Sequence, residues 1–155
     1  MKVGLDTNIL VYAAGLDDLR RRESSAELLL RLTEQDCVVS ALVFSELHYV
    51  LARKTRDKSY ASRTVAGFMR IYDVAPIDTT ALQLGLELVD RHGFQIFDAV
   101  IFAGAVQAGC RILLSEDGHA GFERFGCTII NPFLVPMHPL LATVLAEAGP
   151  SNATT

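Results

Sequence analysis

The chain has 155 residues, with 14 Lys and Arg against 18 Asp and Glu, a net charge of -4 and 50% hydrophobic residues. That length and apolar content suit one globular domain, which at this size buries roughly 70% of the surface of its unfolded chain, and they exclude a disordered or fibrous chain. No apolar run approaches the roughly 20 residues that cross a bilayer, and Met1 leads straight into Lys2-Val3-Gly4-Leu5-Asp6 without a signal-peptide pattern. A soluble, cytoplasmic protein with no membrane partner is expected.

Residues 2–5 read as a first strand. Beyond the polar Asp17 and Asp18, Leu28, Leu29 and Leu32 recur at helical spacing. Residues 37–39 form a second strand, and Ser40 is placed to cap a helix over 41–54 whose apolar face carries Val43, Leu47, Val50 and Leu51. Another helix is expected over 60–71, then a short extended piece at Val74 and Ala75. Pro76 and residues 78–80 lead into a helix through Leu82, Leu86 and Val89 that ends near Gly93. A very apolar helix follows over 97–108, and residues 111–114 and 127–130 are short strands enclosing a Gly-rich turn. The tail contains Pro132, Pro136, Pro139 and Pro150, a short helix near 140–147, and a polar end whose last half-dozen residues are expected to fray.

Strands separated by helices require crossover connections, and these put helices on both faces of a parallel sheet. The fold class is therefore α/β, with a parallel sheet of four or five strands. In such sheets ligands collect outside the carboxyl ends of the strands.

Two acids fall there. Asp6 follows the first strand in Leu5-Asp6-Thr7-Asn8, and Asp117 follows the strand at 111–114 in Ser115-Glu116-Asp117. Either alone reads equally as a turn residue, since Asp, Asn, Thr and Ser favour local side chain to backbone bonds. Asp98 is the only charged residue between Arg91 and Arg111. A carboxylate in so apolar a stretch needs a partner: it either caps its helix or belongs to a metal site. Glu46 shares a helix face with Leu42 and Tyr49, and alone it reads as an ordinary helix glutamate.

If the four acids meet at one sheet edge, they repel one another unless protonated or neutralised by cations. An all-oxygen donor set suits Mg²⁺ or Mn²⁺, whereas zinc usually draws on Cys or His. Cys37, Cys110 and Cys127 form no CxxC, the four histidines form no HxxxH pair, and the thiols read as small core hydrophobes. The chemistry that such a carboxylate site offers is phosphodiester hydrolysis, with Thr7, Asn8 and Ser115 orienting carboxylates or water. Other phosphate chemistries lack their parts, for GxxxxGK[ST] and GxGxxG are absent, as is GxSxG. No second Asp stands two positions after Asp6, which lowers a phosphoaspartyl reading.

Four motifs in this order carry a resemblance: Leu5-Asp6-Thr7-Asn8-Ile9-Leu10 with Val11-Tyr12-Ala13, Ser45-Glu46, Phe97-Asp98-Ala99, and Leu113-Leu114-Ser115-Glu116-Asp117 followed by Asn131-Pro132-Phe133. Over residues 2–133 the chain resembles the PIN-domain family, particularly its VapC-type toxins. The resemblance implies a three-layer α/β/α fold and an Mg²⁺- or Mn²⁺-dependent endoribonuclease. It also implies a homodimer held inactive by a cognate antitoxin, with tRNA among the candidate RNA substrates. By position the family's four acids fall on Asp6, Glu46, Asp98 and Asp117, and its small hydroxyl residue on Ser115. Glu116 fits the pattern too, without a direct metal bond assigned to it. The match divides the chain into a nuclease domain at 1–133 and an extension at 134–155, partly helical with a frayed end.

Holding RNA needs cations. Arg53, Lys54, Arg56 and Lys58 are the candidate phosphate contacts, with Arg20, Arg21 and Arg22 as a second group. The competing reading is that basic residues at a helix end complement its dipole and face solvent. Two other functions stay open on sequence grounds, a catalytically idle binding module whose acids dock a partner's Arg, and a stand-alone RNA-processing nuclease.

Overall fold

A computed structural model of the chain describes residues 1–16, 18–32 and 35–147. Asp17 and the tail end expected to fray lie outside the described residues. In chain order the elements are β1 (Lys2–Leu5), α1 (Thr7–Ala13), α2 (Leu19–Arg31), β2 (Asp36–Ser40), α3 (Ala41–Thr55), α4 (Lys58–Met69), β3 (Asp73–Ala75), α5 (Thr79–His92), α6 (Ile96–Gln107), β4 (Ile112–Leu114), β5 (Glu123–Arg124), β6 (Cys127–Ile130) and α7 (Pro139–Glu147).

The sheet order is β3-β2-β1-β4-β6-β5. All pairs are parallel except β5 with β6, so the expected α/β class and parallel sheet are present with one antiparallel edge strand added. The central strands are buried along nearly their whole length, as β4 (Ile112 to Leu114) and β6 are. This is the run of apolar residues that a sheet covered on both faces demands. The helices pack most closely as α5 on α6, α3 on α4 and α1 on α2, with α3 touching α1 and, more lightly, α6. From β1 the chain runs outward to β2 and β3 in one direction and then returns past β1 to β4 in the other.

Two elements were not expected from sequence. α1 is only seven residues and nearly all apolar, so it shows no helical alternation; it forms because Asp6 caps it and Ile9, Leu10 and Val11 are buried. The hairpin of β5 and β6 turns on Phe125 (φ 52) and Gly126 (φ 76), with Arg124 opposite Cys127. Two successive positive φ values make the two-residue turn whose twist matches the strands, and Phe at the first of them gives no sequence signal for it.

Elsewhere boundaries differ by one or two residues, as where α4, capped by Asp57, begins at Lys58, two residues before the expected start. The three cysteines are free and buried, and burial pushes Cys37 up to about 11 and Cys110 and Cys127 up to about 12, as small core residues would be. Leu141, Val144 and Leu145 of α7 join the same core as the sheet. Among the described residues no helix is long and apolar enough to cross a membrane.

Candidate active site

The strand order reverses at the boundary between β1 and β4. In open parallel sheets ligands bind outside the carboxyl ends of the strands that flank such a reversal. Asp6 leaves β1 at that point and Ser115, Glu116 and Asp117 leave β4. α3 starts where β2 ends, and α6 runs back toward the amino end of β4, so the first turns of both helices lie at the same edge. Asp98 stands in the first turn of α6, while Glu46 lies in the second turn of α3.

Asp6 is the most enclosed of the four acids, at 5% exposure. Its Oδ1 accepts the Thr7 backbone N–H at 2.6 Å and its Oδ2 accepts the Ser115 hydroxyl at 2.6 Å. Thr7 in turn donates its hydroxyl to Glu46 across to α3. Asn8 donates to Asp117 Oδ2 at 3.1 Å and accepts the Glu116 backbone N–H at 3.2 Å, while Ser115 Oγ accepts the Asp117 N–H at 3.2 Å. Thr7, Asn8 and Ser115 thus each hold a carboxylate: Glu46, Asp117 and Asp6 respectively. The Ser45 hydroxyl turns back onto the Ala41 carbonyl at 2.9 Å and takes no part.

Electrostatics ties the four acids together. Burial pushes the Asp6 carboxyl up to about 6; the bonds from Ser115 and Thr7 oppose this, and the charges of Asp117 and Asp98 add to it. Asp98 is raised as well, first by burial and then by Asp117 and Glu46, with His119 opposing. Acids from a strand end, two helices and a loop therefore share one neighbourhood.

Asp98 does not cap α6. The capping position belongs to Gln95, whose side chain makes no capping bond. The alternative of a structural cap is set aside, leaving a half-buried carboxylate whose charge the helix dipole and His119 favour.

The donor set is right for an oxygen-seeking divalent ion: carboxylates that destabilise one another's charge. Among the described residues, however, no group of three or more His, Cys, Asp or Glu side chains is arranged so that it could hold a metal ion. The fit is one of chemistry and neighbourhood, with Glu46 and Asp117 turned to Thr7 and Asn8.

A PIN-domain family model matches residues 3–126. The chain belongs to the PIN-domain family. Its fold is shared with solved structures of low sequence identity. Mycobacterium tuberculosis VapC20, described as a sarcin-ricin loop cleaving toxin, is 20% identical over 75% of this chain and 90% of its own, with a TM-score of 0.62. FitAcB from Neisseria gonorrhoeae is 19% identical over 84% and 98%, with a TM-score of 0.65. DNA-bound VapBC from Salmonella typhimurium is 24% identical over 83% and 96%, with a TM-score of 0.61. No curated protein matches the chain.

Within this PIN domain the basic candidates sit apart from the acids. Arg53 and Lys54 occupy the last turn of α3, Arg56 ends it at φ 57, and Lys58 opens α4; all four are exposed. Seven residues separate Glu46 from Arg53, about 10 Å of helix. Arg21, from the second basic group, is committed elsewhere, 2.5 Å from Glu116 and over the Phe133 ring.

Three neighbours of the site carried no sequence signal for their placement. Tyr12 and Arg21 reach Glu116 across roughly a hundred residues of chain. His119, whose ring stacks on Phe94 at 3.7 Å, faces Asp98. Only the fold brings these groups together.

Proposed function

We propose that this PIN domain is a divalent-metal-dependent endoribonuclease acting as the toxin of a toxin–antitoxin pair. The observation that carries the reading is the convergence of Asp6, Glu46, Asp98 and Asp117 at the carboxyl edge of β1 and β4, with Asp6 and Asp98 both raised by burial and by their fellow acids. Such a cluster favours a cation, and a phosphodiester approaches it only once its charge is offset.

Asp6 and Asp98 would hold Mg²⁺ or Mn²⁺ directly, and Glu46 and Asp117 directly or through water. When bound, the ion supplies Lewis acidity toward water and the phosphate. The rest is the chain's own work. Thr7 and Ser115 keep the Asp6 carboxylate oriented, Thr7 aims Glu46, and Asn8 aims Asp117. Arg53, Lys54, Arg56 and Lys58 form a second stretch of surface for RNA phosphates, and reversing the charge at Arg53 and Lys54 is expected to weaken RNA binding and flatten its salt dependence. Unchanged binding removes that patch.

The toxin assignment draws support from the fold shared with VapC20, a sarcin-ricin loop cleaving toxin, with a toxin-antitoxin complex from Klebsiella pneumoniae and with DNA-bound VapBC. A cognate antitoxin covering the acids and a homodimeric, cytoplasmic toxin belong to the same reading. Light scattering of the purified chain tests the dimer.

The experiment that tests the activity is RNA cleavage with Mg²⁺ or Mn²⁺ by the native chain, Asp6→Asn and Asp98→Asn. Cleavage by the native chain is expected to fall roughly 100-fold or more in either variant. Equal cleavage by all three points to a contaminant. None from the native chain favours the binding module, in which the acids receive a partner's Arg.

A further inference from the structure

Glu116 stands between two residues of the site and faces away from it. Ser115 and Asp117 send their side chains to Asp6 and Asn8. The Glu116 carboxylate instead meets Arg21 Nη2 at 2.5 Å through Oε1 and accepts the Tyr12 hydroxyl through Oε2. The Arg21 guanidinium lies over Phe133, 4.5 Å from the ring centroid, and Tyr12 meets the same ring edge-on at 5.9 Å. The Glu116 backbone is engaged on both sides, its N–H with Asn8 Oδ1 at 3.2 Å and its carbonyl with Asn131 Nδ2 at 3.4 Å.

This bonding answers a mechanical need. Asp117 is exposed and sits on a loop, where backbone order is lowest unless something fixes it. A charge-assisted Arg–carboxylate bond is among the stronger fixings available, and this pair is partly sheltered, with the Arg21 side chain 40% and the Glu116 side chain 22% exposed. Stacking on Phe133 holds the guanidinium plane as well as its charge.

We propose that the Arg21–Glu116 pair, seated on Phe133, is a positioning device for the acid site. It fixes the peptide units on either side of Glu116, so that Ser115 faces Asp6 and Asp117 faces Asn8. The pair touches neither substrate nor ion, and its role toward the ion rests on the metal-site reading above.

The test uses the full chain carrying Arg21→Ala, Arg21→Lys or Glu116→Gln, with two measurements: amide hydrogen exchange by NMR, and Mn²⁺ affinity from water-proton relaxation without RNA. In Arg21→Ala the Glu116 and Asp117 amides should exchange about tenfold faster while those of Ile112 to Leu114 hold their rates. Mn²⁺ affinity should fall about tenfold, as for other residues that orient a ligand from behind. Arg21→Lys keeps the charge without the planar stack and should fall between. Glu116→Gln should follow Arg21→Ala, and it decides the matter if Arg21→Ala does not fold. Unchanged exchange at both amides overturns the proposal, and so does faster exchange with Mn²⁺ affinity intact. If the native chain binds no Mn²⁺, the metal reading fails by itself, and exchange alone upholds or overturns the device as one that positions Ser115 and Asp117.

Discussion

Asp6 meets two opposed demands. A strand end opening into a helix needs a short acceptor, and Asp6 caps α1 through Thr7; yet burial and neighbouring acids push its carboxyl up to about 6 from 3.8. Because the folded state prefers the neutral form, its stability advantage is whole below about pH 4 and disappears as pH rises through 6. The ionised group then costs the metal-free fold about 3 kcal/mol. Asn keeps the capping acceptor and can bond Ser115 with its amide. Asp6→Asn is therefore expected to raise the thermal midpoint by roughly 6–12 °C at pH 7.5 and by little at pH 4. A variant less stable than native at pH 7.5 would contradict this. A divalent ion should stabilise the native chain and leave Asp6→Asn nearly unmoved. The residue scale is also where sequence was most informative. Asp6 and Asp117 announce themselves by following strands, and Asp98 by being the one charge in an apolar run. Glu46 gave less, because its partner Thr7 lies 39 residues away.

At the scale of elements, α5 and α6 meet through glycine. A Cβ on Gly85 would lie 2.7 Å from Val100 Cγ2 and 3.3 Å from the Val100 backbone, and a branched side chain on a packed helix has little room to yield. Gly104 differs, since its Cβ would meet only the far end of Ile77 at 2.6 Å and Ser40 at 3.7 Å. Alanine gains up to about 1 kcal/mol of helix propensity at either site, whereas forced overpacking costs about 1–3 kcal/mol. Gly85→Ala should lower the urea midpoint, and Gly104→Ala should leave it nearly unchanged. The reverse order would mean that α5 slides freely on α6. These close approaches show why elements were only partly legible. Long helices with caps such as Ser40 and Asp78 stand out, but α1 is held by burial and a cap, with no periodicity to reveal it. The β5–β6 hairpin depends on a positive φ at Phe125 that composition does not signal.

For the whole molecule, the order β3-β2-β1-β4-β6-β5 does the gathering, for it makes β1 and β4 neighbours and so brings Asp6 beside Ser115 across 109 residues. No local pattern encodes that adjacency; alternating strands and helices imply a switch point without saying which strands flank it. Beyond residue 133, α7 takes part in the same body. Leu141 is fully buried with Val144 and Leu145 in the core, so Leu141→Ala should cost about 2–5 kcal/mol, read by chemical denaturation. A cost near zero would mean that α7 is a detachable appendage. The most direct test of a carboxylate site built at the switch point is calorimetric titration of Mn²⁺ into the native chain and Asp98→Asn at pH 7.5. Saturable binding by the native chain, weakening as pH falls below about 6 and lost in Asp98→Asn with its fold intact, is the expected result. Equal binding by both chains, or none by the native chain, would contradict it.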